Sequence, residues 1–137
     1  MVVTNYPDVK LYFRFYGESF DPDEITRRLG IEPTAQRRPG DPLTKDGRGI
    51  CRDYSWMVKI GPSETLYIDD MLIEFRERIS VSAAEVRQLC QDLNLELVIV
   101  CGVGMGTADD LPVTYFPQDF VKWAAEMNAA INVDIIL

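Results

Sequence analysis

Apolar and polar residues alternate along four stretches of the chain, and this period of two predicts β-strands. The stretches cover residues 9–16, 54–60, 95–103 and 131–137. Gly61 and Pro62 are expected to end the second strand, because neither residue suits a strand interior. The third stretch is apolar on both of its faces, which indicates a strand at the centre of its sheet.

Apolar residues at spacings of three and four predict helices between these strands. The helices cover residues 22–29, 64–79, 83–93 and a segment that begins at Pro117. Boundary signals support the first helix, because Asp21 can cap its N-terminus, Pro22 suits its first turn and Gly30 suits its end. Two brief strands are expected at residues 31–34 and 113–116.

Two glycine-containing stretches are expected to be loops. Residues 35–53 form a long loop for a compact domain, and long loops are commonly functional or mobile. Residues 102–112 follow a strand, as a phosphate-binding turn does. A nucleotide site also needs a helix to begin at the last glycine, whereas here Asp109 and Asp110 follow and Pro112 interrupts. We therefore interpret residues 102–112 as a flexible loop.

The order of these elements predicts an α+β fold. We expect a ferredoxin-like β-α-β-β-α-β sheet with helices on one face, extended by a C-terminal helix and strand. The chain has 137 residues, and a chain of this length is expected to fold as a single domain over residues 1–137.

Composition limits the metal-binding and catalytic chemistry that the chain can carry out. The chain contains no histidine, which excludes histidine-based metal sites and the usual histidine-assisted nucleophiles. Its three cysteines are odd in number and not in a zinc-ligand spacing, so neither a disulfide framework nor a thiolate zinc site is expected. We therefore assign no catalytic residue, no cofactor and no metal from the sequence.

Other sequence features indicate the cellular compartment of the protein. The chain begins without the pattern of a signal peptide, and it has no apolar run of about 18 residues that could span a membrane. Together with the cysteine usage, these observations predict a cytoplasmic protein without a membrane partner.

Charge is segregated along the chain. The formal net charge is −8, yet residues 27–52 carry seven basic and three acidic residues, a net +4, while the remainder carries seven basic and nineteen acidic residues, a net −12. An acidic protein is repelled by the phosphates of a nucleic-acid duplex, so duplex binding is not expected. Arginine suits carboxylates and phosphates, which makes the basic segment the candidate binding site.

The candidate ligand-binding residues lie in or beside the 35–53 loop. They are Arg37, Arg38, Asp41, Arg48, Arg52 and Trp56. Trp56 borders the loop on a strand whose apolar face equally favours packing in the core. The alternative reading of the arginines is that they simply solvate the loop or lie back on the acidic body.

The leading functional hypothesis is a non-enzymatic binding module. Either the loop arginines bind an acidic protein or a small anionic ligand, or the acidic body covers a basic partner. The rival hypothesis is a carboxylate-based enzyme that uses Asp41, Asp109, Asp110 or Asp134 near the same loop. A third possibility is self-association through Tyr12 and Tyr16 on the second face of the first strand, so the protein is expected to be a monomer or a homodimer.

Two segments together resemble a known family. They are Gly17, Asp21-Pro22, Ile25, Leu29-Gly30-Ile31, Pro33-Thr34, Gly40-Asp41 and Trp56 in the first half, and residues 120–127 followed by 129–135 in the tail. This pattern resembles a bacterial family known as domain of unknown function 4279, over nearly the whole chain, although the 102–112 loop departs from it. The resemblance implies a small cytoplasmic bacterial protein and carries over no catalytic residue. By analogy, small acidic families of this kind include immunity proteins that neutralise toxins.

Overall fold

A computed structural model describes residues 5–137, so residues 1–4 of the predicted domain lie outside the described part of the chain. The protein has a mixed α+β fold with an open five-stranded sheet and four helices. The elements are, in order, β1 (Asp8–Tyr16), α1 (Pro22–Leu29), β2 (Ala35–Arg37), β3 (Ser55–Glu64), α2 (Asp69–Arg78), α3 (Ala83–Leu93), β4 (Glu96–Gly104), α4 (Gln118–Glu126) and β5 (Ala130–Ile136).

The strands lie in the order β2-β3-β1-β4-β5. The central strand β1 pairs antiparallel with both β3 and β4, and β2 pairs antiparallel with β3. The last strand, β5, pairs parallel with β4. The prediction that the doubly apolar strand is internal is confirmed, since β4 lies between two neighbours. The edges of the sheet are β2 and β5.

The alternation along β1 divides the sheet into two unlike faces. Val9, Leu11, Phe13 and Phe15 are all fully buried, and they join apolar residues of all four helices in one core cluster. We call this side the helix face. Residues 10, 12 and 14 point the other way and are half-buried, and we call that side the open face.

The ends of α1 and α3 follow their sequence signals. The Asp21 carboxylate accepts a hydrogen bond from the Asp23 amide, and Gly30 takes the left-handed conformation with φ 69° at the C-terminus of α1. The Ser82 hydroxyl accepts a hydrogen bond from the Glu85 amide at the start of α3. The predicted boundaries of both helices are confirmed. They could be predicted because these caps are local and do not depend on tertiary contacts.

The prediction that β3 ends at Gly61-Pro62 is wrong, since β3 continues to Glu64. The pairing between β1 and β3 shifts register between Val9 and Leu11, and this bulge admits the Gly61–Pro62 pair. Gly61 has φ 96°, and a Cβ atom there would lie 2.7 Å from the Val9 carbonyl oxygen, so the strand passes this point only with glycine.

Three weaker predictions also need correction. The brief strand expected at residues 31–34 lies instead at Ala35–Arg37, and residues 113–116 contribute only an isolated bridge between Val113 and Tyr67. The helix expected from residue 64 begins at Asp69. The Thr65 hydroxyl accepts a hydrogen bond from the Tyr67 amide at 3.0 Å, which holds a local turn in place of the first helical turn.

Candidate functional site

The segment between β2 and β3 is ordered by its own backbone. Residues 38–53, which we call the hairpin lobe, turn back so that the Gly40 amide donates to the Cys51 carbonyl at 2.8 Å and the Cys51 amide donates to the Asp41 carbonyl at 2.7 Å. The Asp41 carboxylate accepts a hydrogen bond from the Arg38 amide at 2.7 Å. Asp41, a predicted ligand-binding residue, therefore serves the turn that begins the lobe.

At the tip of the lobe, the charged side chains form an ion pair with each other. The Arg48 guanidinium lies 3.1 Å from the Asp46 carboxylate, and the Arg48 side chain is 87% exposed. The Thr44 hydroxyl and the Arg48 amide donate hydrogen bonds to the same carboxylate and lower the pKa of Asp46. Arg48, also a predicted ligand-binding residue, therefore lies at the exposed tip of the lobe.

The alternation of β2 sends its neighbouring side chains to opposite faces. Gln36 donates to the Asp23 carboxylate at 2.9 Å, and Arg38 donates to Asp21 at 2.7 Å and to Asp23 at 3.0 Å, at the N-terminus of α1. The hydrogen bonds from Gln36 and then Arg38 lower the pKa of Asp23. Arg37 lies between these two residues and points to the open face. Arg38 thus ties the lobe to α1.

Trp56, the remaining aromatic candidate, belongs to the core. It is fully buried, and its ring packs edge-on against Phe15 with centroids 5.6 Å apart. Its indole nitrogen donates to the Thr26 hydroxyl at 3.0 Å. Since the indole has no solvent-facing atom to offer, Trp56 positions β3 against α1 and does not line the site.

Three arginines meet in a concavity on the open face, which we call the arginine pocket. Arg14, Arg37 and Arg52 line a cavity of about 340 Å³ between the sheet and the hairpin lobe. The remaining lining residues are Leu43, Ile50, Cys51, Asp53 and Ser55. Two of the predicted site residues, Arg37 and Arg52, are therefore brought together, and Arg14 joins them from β1.

Strand register explains why Arg14 reaches residues of the lobe. Arg14 pairs with Met57 on β3, and Arg37 pairs with Ser55 on the same strand. Met57 and Ser55 are two residues apart and so share a face, which places both arginines on the open face. The basic character of this face of β1 was visible in the sequence, but its proximity to the lobe depends on the pairing.

The environment of Arg14 is unusual for an arginine. Its Nε atom is buried and has no hydrogen-bond partner among the described residues. Its guanidinium carbon lies 4.6 Å from the centroid of the Tyr16 ring, which fixes the head group beside an aromatic face. A buried donor without a partner costs free energy.

The arginines of the basic segment, together with Arg14, thus divide into those with an ion pair and those without one. Arg27, Arg28, Arg38 and Arg48 form ion pairs with carboxylates of the same chain. Within residues 5–137, no carboxylate lies within 4.0 Å of a guanidinium nitrogen of Arg14, Arg37 or Arg52. One carboxylate, Asp53, lines the same cavity, so the pocket carries an excess of positive charge.

The carboxylates of the enzyme hypothesis are not gathered in a pocket. Asp109, Asp110 and Asp134 are exposed, and Asp134 lies on the edge strand opposite the hairpin lobe. No group of three or more acidic or cysteine side chains in the described part of the chain could hold a metal ion. Burial raises the pKa of the Cys90 and Cys101 thiols to about 11, so neither is a ready nucleophile at neutral pH.

A second concavity lies between α2 and α4, and sequence reasoning did not anticipate it. Its volume is about 550 Å³, and its walls include Leu72, Phe120 and Trp123. The Arg76 guanidinium lies 5.4 Å from the Trp123 ring centroid and 3.2 Å from the Asp119 carboxylate. The arginine of this groove is therefore paired within the chain, unlike the arginines of the arginine pocket.

Comparison with known proteins identifies the family. A family model described as domain of unknown function (DUF4279) matches residues 7–137, and the chain belongs to this family. No significant similarity was found to a curated protein or to a solved structure. In the described part of the chain, no helix has the length and apolar character needed to cross a membrane.

Proposed function

We propose that this protein is a non-enzymatic binding module whose arginine pocket takes an oxyanion, the phosphate or carboxylate group of a small ligand or an acidic partner. The observation that carries the proposal is the buried, unpartnered Nε of Arg14 beside two guanidiniums without ion pairs. Five other arginines of the chain, by contrast, pair with its own carboxylates, and the chain is strongly acidic overall.

The lining of the pocket suits an oxyanion attached to an apolar group. Guanidinium forks donate pairs of hydrogen bonds to carboxylate and phosphate oxygens. Ser55 lies at the floor and is 5% exposed, so its hydroxyl offers a further donor in a desolvated position. Leu43 and Ile50 form the apolar side of the cavity, and Ile50 is 62% exposed, which leaves surface for a hydrocarbon portion of the ligand.

The scaffold for this site is a split β-α-β unit of the ferredoxin-like kind, to which α4 and β5 are added. The order β2-β3-β1-β4, with antiparallel pairing at each step, supports this assignment. We place the protein in a bacterial cytoplasm, and the free state of Cys51, Cys90 and Cys101 supports a reducing compartment.

Titration with defined anions tests the binding function. The probes are phenyl phosphate, benzoate and inorganic phosphate, with benzyl alcohol as the neutral control, and the readouts are calorimetric affinity and the Nε–H nuclear magnetic resonance signal of Arg14. We expect one or both organic anions to bind and to shift that signal, and the paired variant Arg37→Gln/Arg52→Gln to lose about tenfold or more in affinity.

A matched control separates the pocket from general electrostatics. Arg27→Gln/Arg48→Gln removes two charges from the same basic segment, at side chains that are 73% and 87% exposed, and leaves the arginine pocket intact. We expect its affinity to stay within about twofold of the parent, since surface charges outside the site act mainly through screened long-range attraction. Equal losses in both double variants, or no binding of any anion at millimolar concentration, would contradict the proposal.

A further inference from the structure

The β5 strand leaves an unprotected edge. It is seven residues long, and within residues 5–137 it pairs only with β4. Edge strands are usually protected by proline, lysine, a bulge or a covering segment. The residues of β5 are Ala-Ile-Asn-Val-Asp-Ile-Ile, with one charge and no proline, and Val133 and Ile135 are 39% and 45% exposed.

One hydrogen bond fixes which backbone groups of β5 point outward. The Met105 amide, just beyond β4, donates to the Ile136 carbonyl at 2.9 Å, so the backbone of Ile136 faces β4. In a strand bonded in parallel, the amide and carbonyl of one residue point to the same side, and successive residues alternate. The amides and carbonyls of Ile131, Val133 and Ile135 therefore face away from the sheet.

We propose that β5 pairs with β5 of a second copy of this chain, antiparallel and centred on Val133, to form a continuous sheet across a two-fold axis. This interaction is independent of the arginine pocket. In this register Val133 lies opposite Val133 of the second copy, and Ile131 lies opposite Ile135. The outward backbone groups then bond to one another, and the two strands overlap over their full length because Val133 is the middle residue of β5.

Side-chain charge favours this register. Asn132 comes to lie directly opposite Asp134 of the second copy, where the amide can donate to the carboxylate. A register centred on Asp134 would instead place two carboxylates opposite each other, which is unfavourable. The pairing also brings Ile131, Val133 and Ile135 of the two copies together along the helix face, where Val133 and Ile135 are partly exposed. A second copy is thus complementary to this edge in backbone and in side chains.

The proposed interface leaves the arginine pocket accessible. The pocket lies against β3 and the hairpin lobe near one edge of the sheet, and β5 is the other edge. A dimer paired through β5 would carry its two pockets at the outer ends.

Charge variants at one position test the register with opposite predictions. By sedimentation equilibrium the parent chain should be a dimer in exchange with monomer. Asn132→Asp places like charges opposite each other twice per dimer, and we expect it to raise the dissociation constant about tenfold. Asn132→Lys creates two ion pairs across the axis, and we expect it to lower the dissociation constant by a few-fold. Residue 132 is exposed, so neither change should disturb the monomer.

Amide exchange and a proline variant test the backbone part of the proposal. Raising the protein concentration should slow exchange at Ile131, Val133 and Ile135, and should not alter exchange at Asn132 and Asp134, whose amides already face β4. Val133→Pro removes an outward amide and should give a folded monomer. A parent chain that stays monomeric at about 1 mM, or charge variants that both shift association in the same direction, would overturn the proposal.

Discussion

Adjacent residues of β1 experience very different surroundings on the two faces of the sheet. On the helix face Phe13 is fully buried and packs against Phe75 of α2, with ring centroids 6.3 Å apart. On the open face Tyr12 and Arg14 are only half-buried. The helix face has its polar atoms satisfied, as Trp56 shows, whereas the open face keeps the unpartnered Nε of Arg14.

This difference separates stability from binding. Burial and close packing on the helix face provide the free energy that holds the sheet, so the open face can retain groups that are unfavourable without a ligand. Arg14 has no ion pair and contacts the Tyr16 ring outside the core. The proposed binding site therefore lies on the face that does not carry the core.

The largest expected effect compares two neighbouring truncations on β1. Phe13→Ala leaves a cavity in the core and should lower the free energy of unfolding by about 3–5 kcal/mol. Tyr12→Ala, the control on the open face, should cost less than half as much because Tyr12 is only half-buried. Urea denaturation followed by circular dichroism measures both. Equal costs would mean that the open face is as tightly packed as the helix face.

The elements with strong periodicity could be predicted from the sequence, and the reason is physical. The alternation of Val9, Leu11, Phe13 and Phe15 both forms the strand and selects its buried side, so strand and core follow from one pattern. By contrast β2 has no apolar alternation. It is an edge strand whose position depends on pairing with β3, beginning where the Thr34 amide donates to the Met57 carbonyl at 2.8 Å.

The candidate site could be predicted only in part, for the same reason. The sequence pointed to the arginines of the 35–53 segment, and Arg37 and Arg52 do line the pocket. The sequence could not show that Arg37 lines the pocket while Arg38 binds Asp21 and Asp23. That difference depends on which face of the sheet each side chain occupies. The sequence could not add Arg14, since only the register of β1 on β3 brings that residue to the lobe.

A smaller effect on stability is expected from removing one polar group on each face of the sheet. Thr26→Val removes the acceptor for the buried indole of Trp56 and should lower the free energy of unfolding by about 1–3 kcal/mol. Arg14→Met removes a donor that has no partner, and it should change stability by less than about 1 kcal/mol while abolishing anion binding. Chemical denaturation and the phenyl phosphate titration measure the two properties separately.

The outcomes of this pair discriminate between two roles of Arg14. If Arg14→Met destabilises the protein as much as Thr26→Val, then the guanidinium stabilises the fold through contacts such as that with Tyr16. If Arg14→Met keeps stability and loses the ligand, the unpartnered donor belongs to a binding site. The side chain of methionine preserves most of the apolar contact of the arginine stem, so packing is held nearly constant between the two variants.

The smallest effect lies at the junction between the faces, where Arg38 and Gln36 bind Asp23. Because these hydrogen bonds hold the folded pKa of Asp23 below its unfolded value, their contribution to stability is present above the unfolded pKa and is lost as pH falls through the folded pKa. All three groups are at the surface, so the expected shift in Tm is small. Thermal melts of the parent chain and of Asp23→Asn should differ near pH 6 and converge at about pH 2. A difference that persists at low pH would show that the neutral carboxyl group of Asp23 still stabilises the fold, and the tie between the hairpin lobe and α1 would then not be ionic.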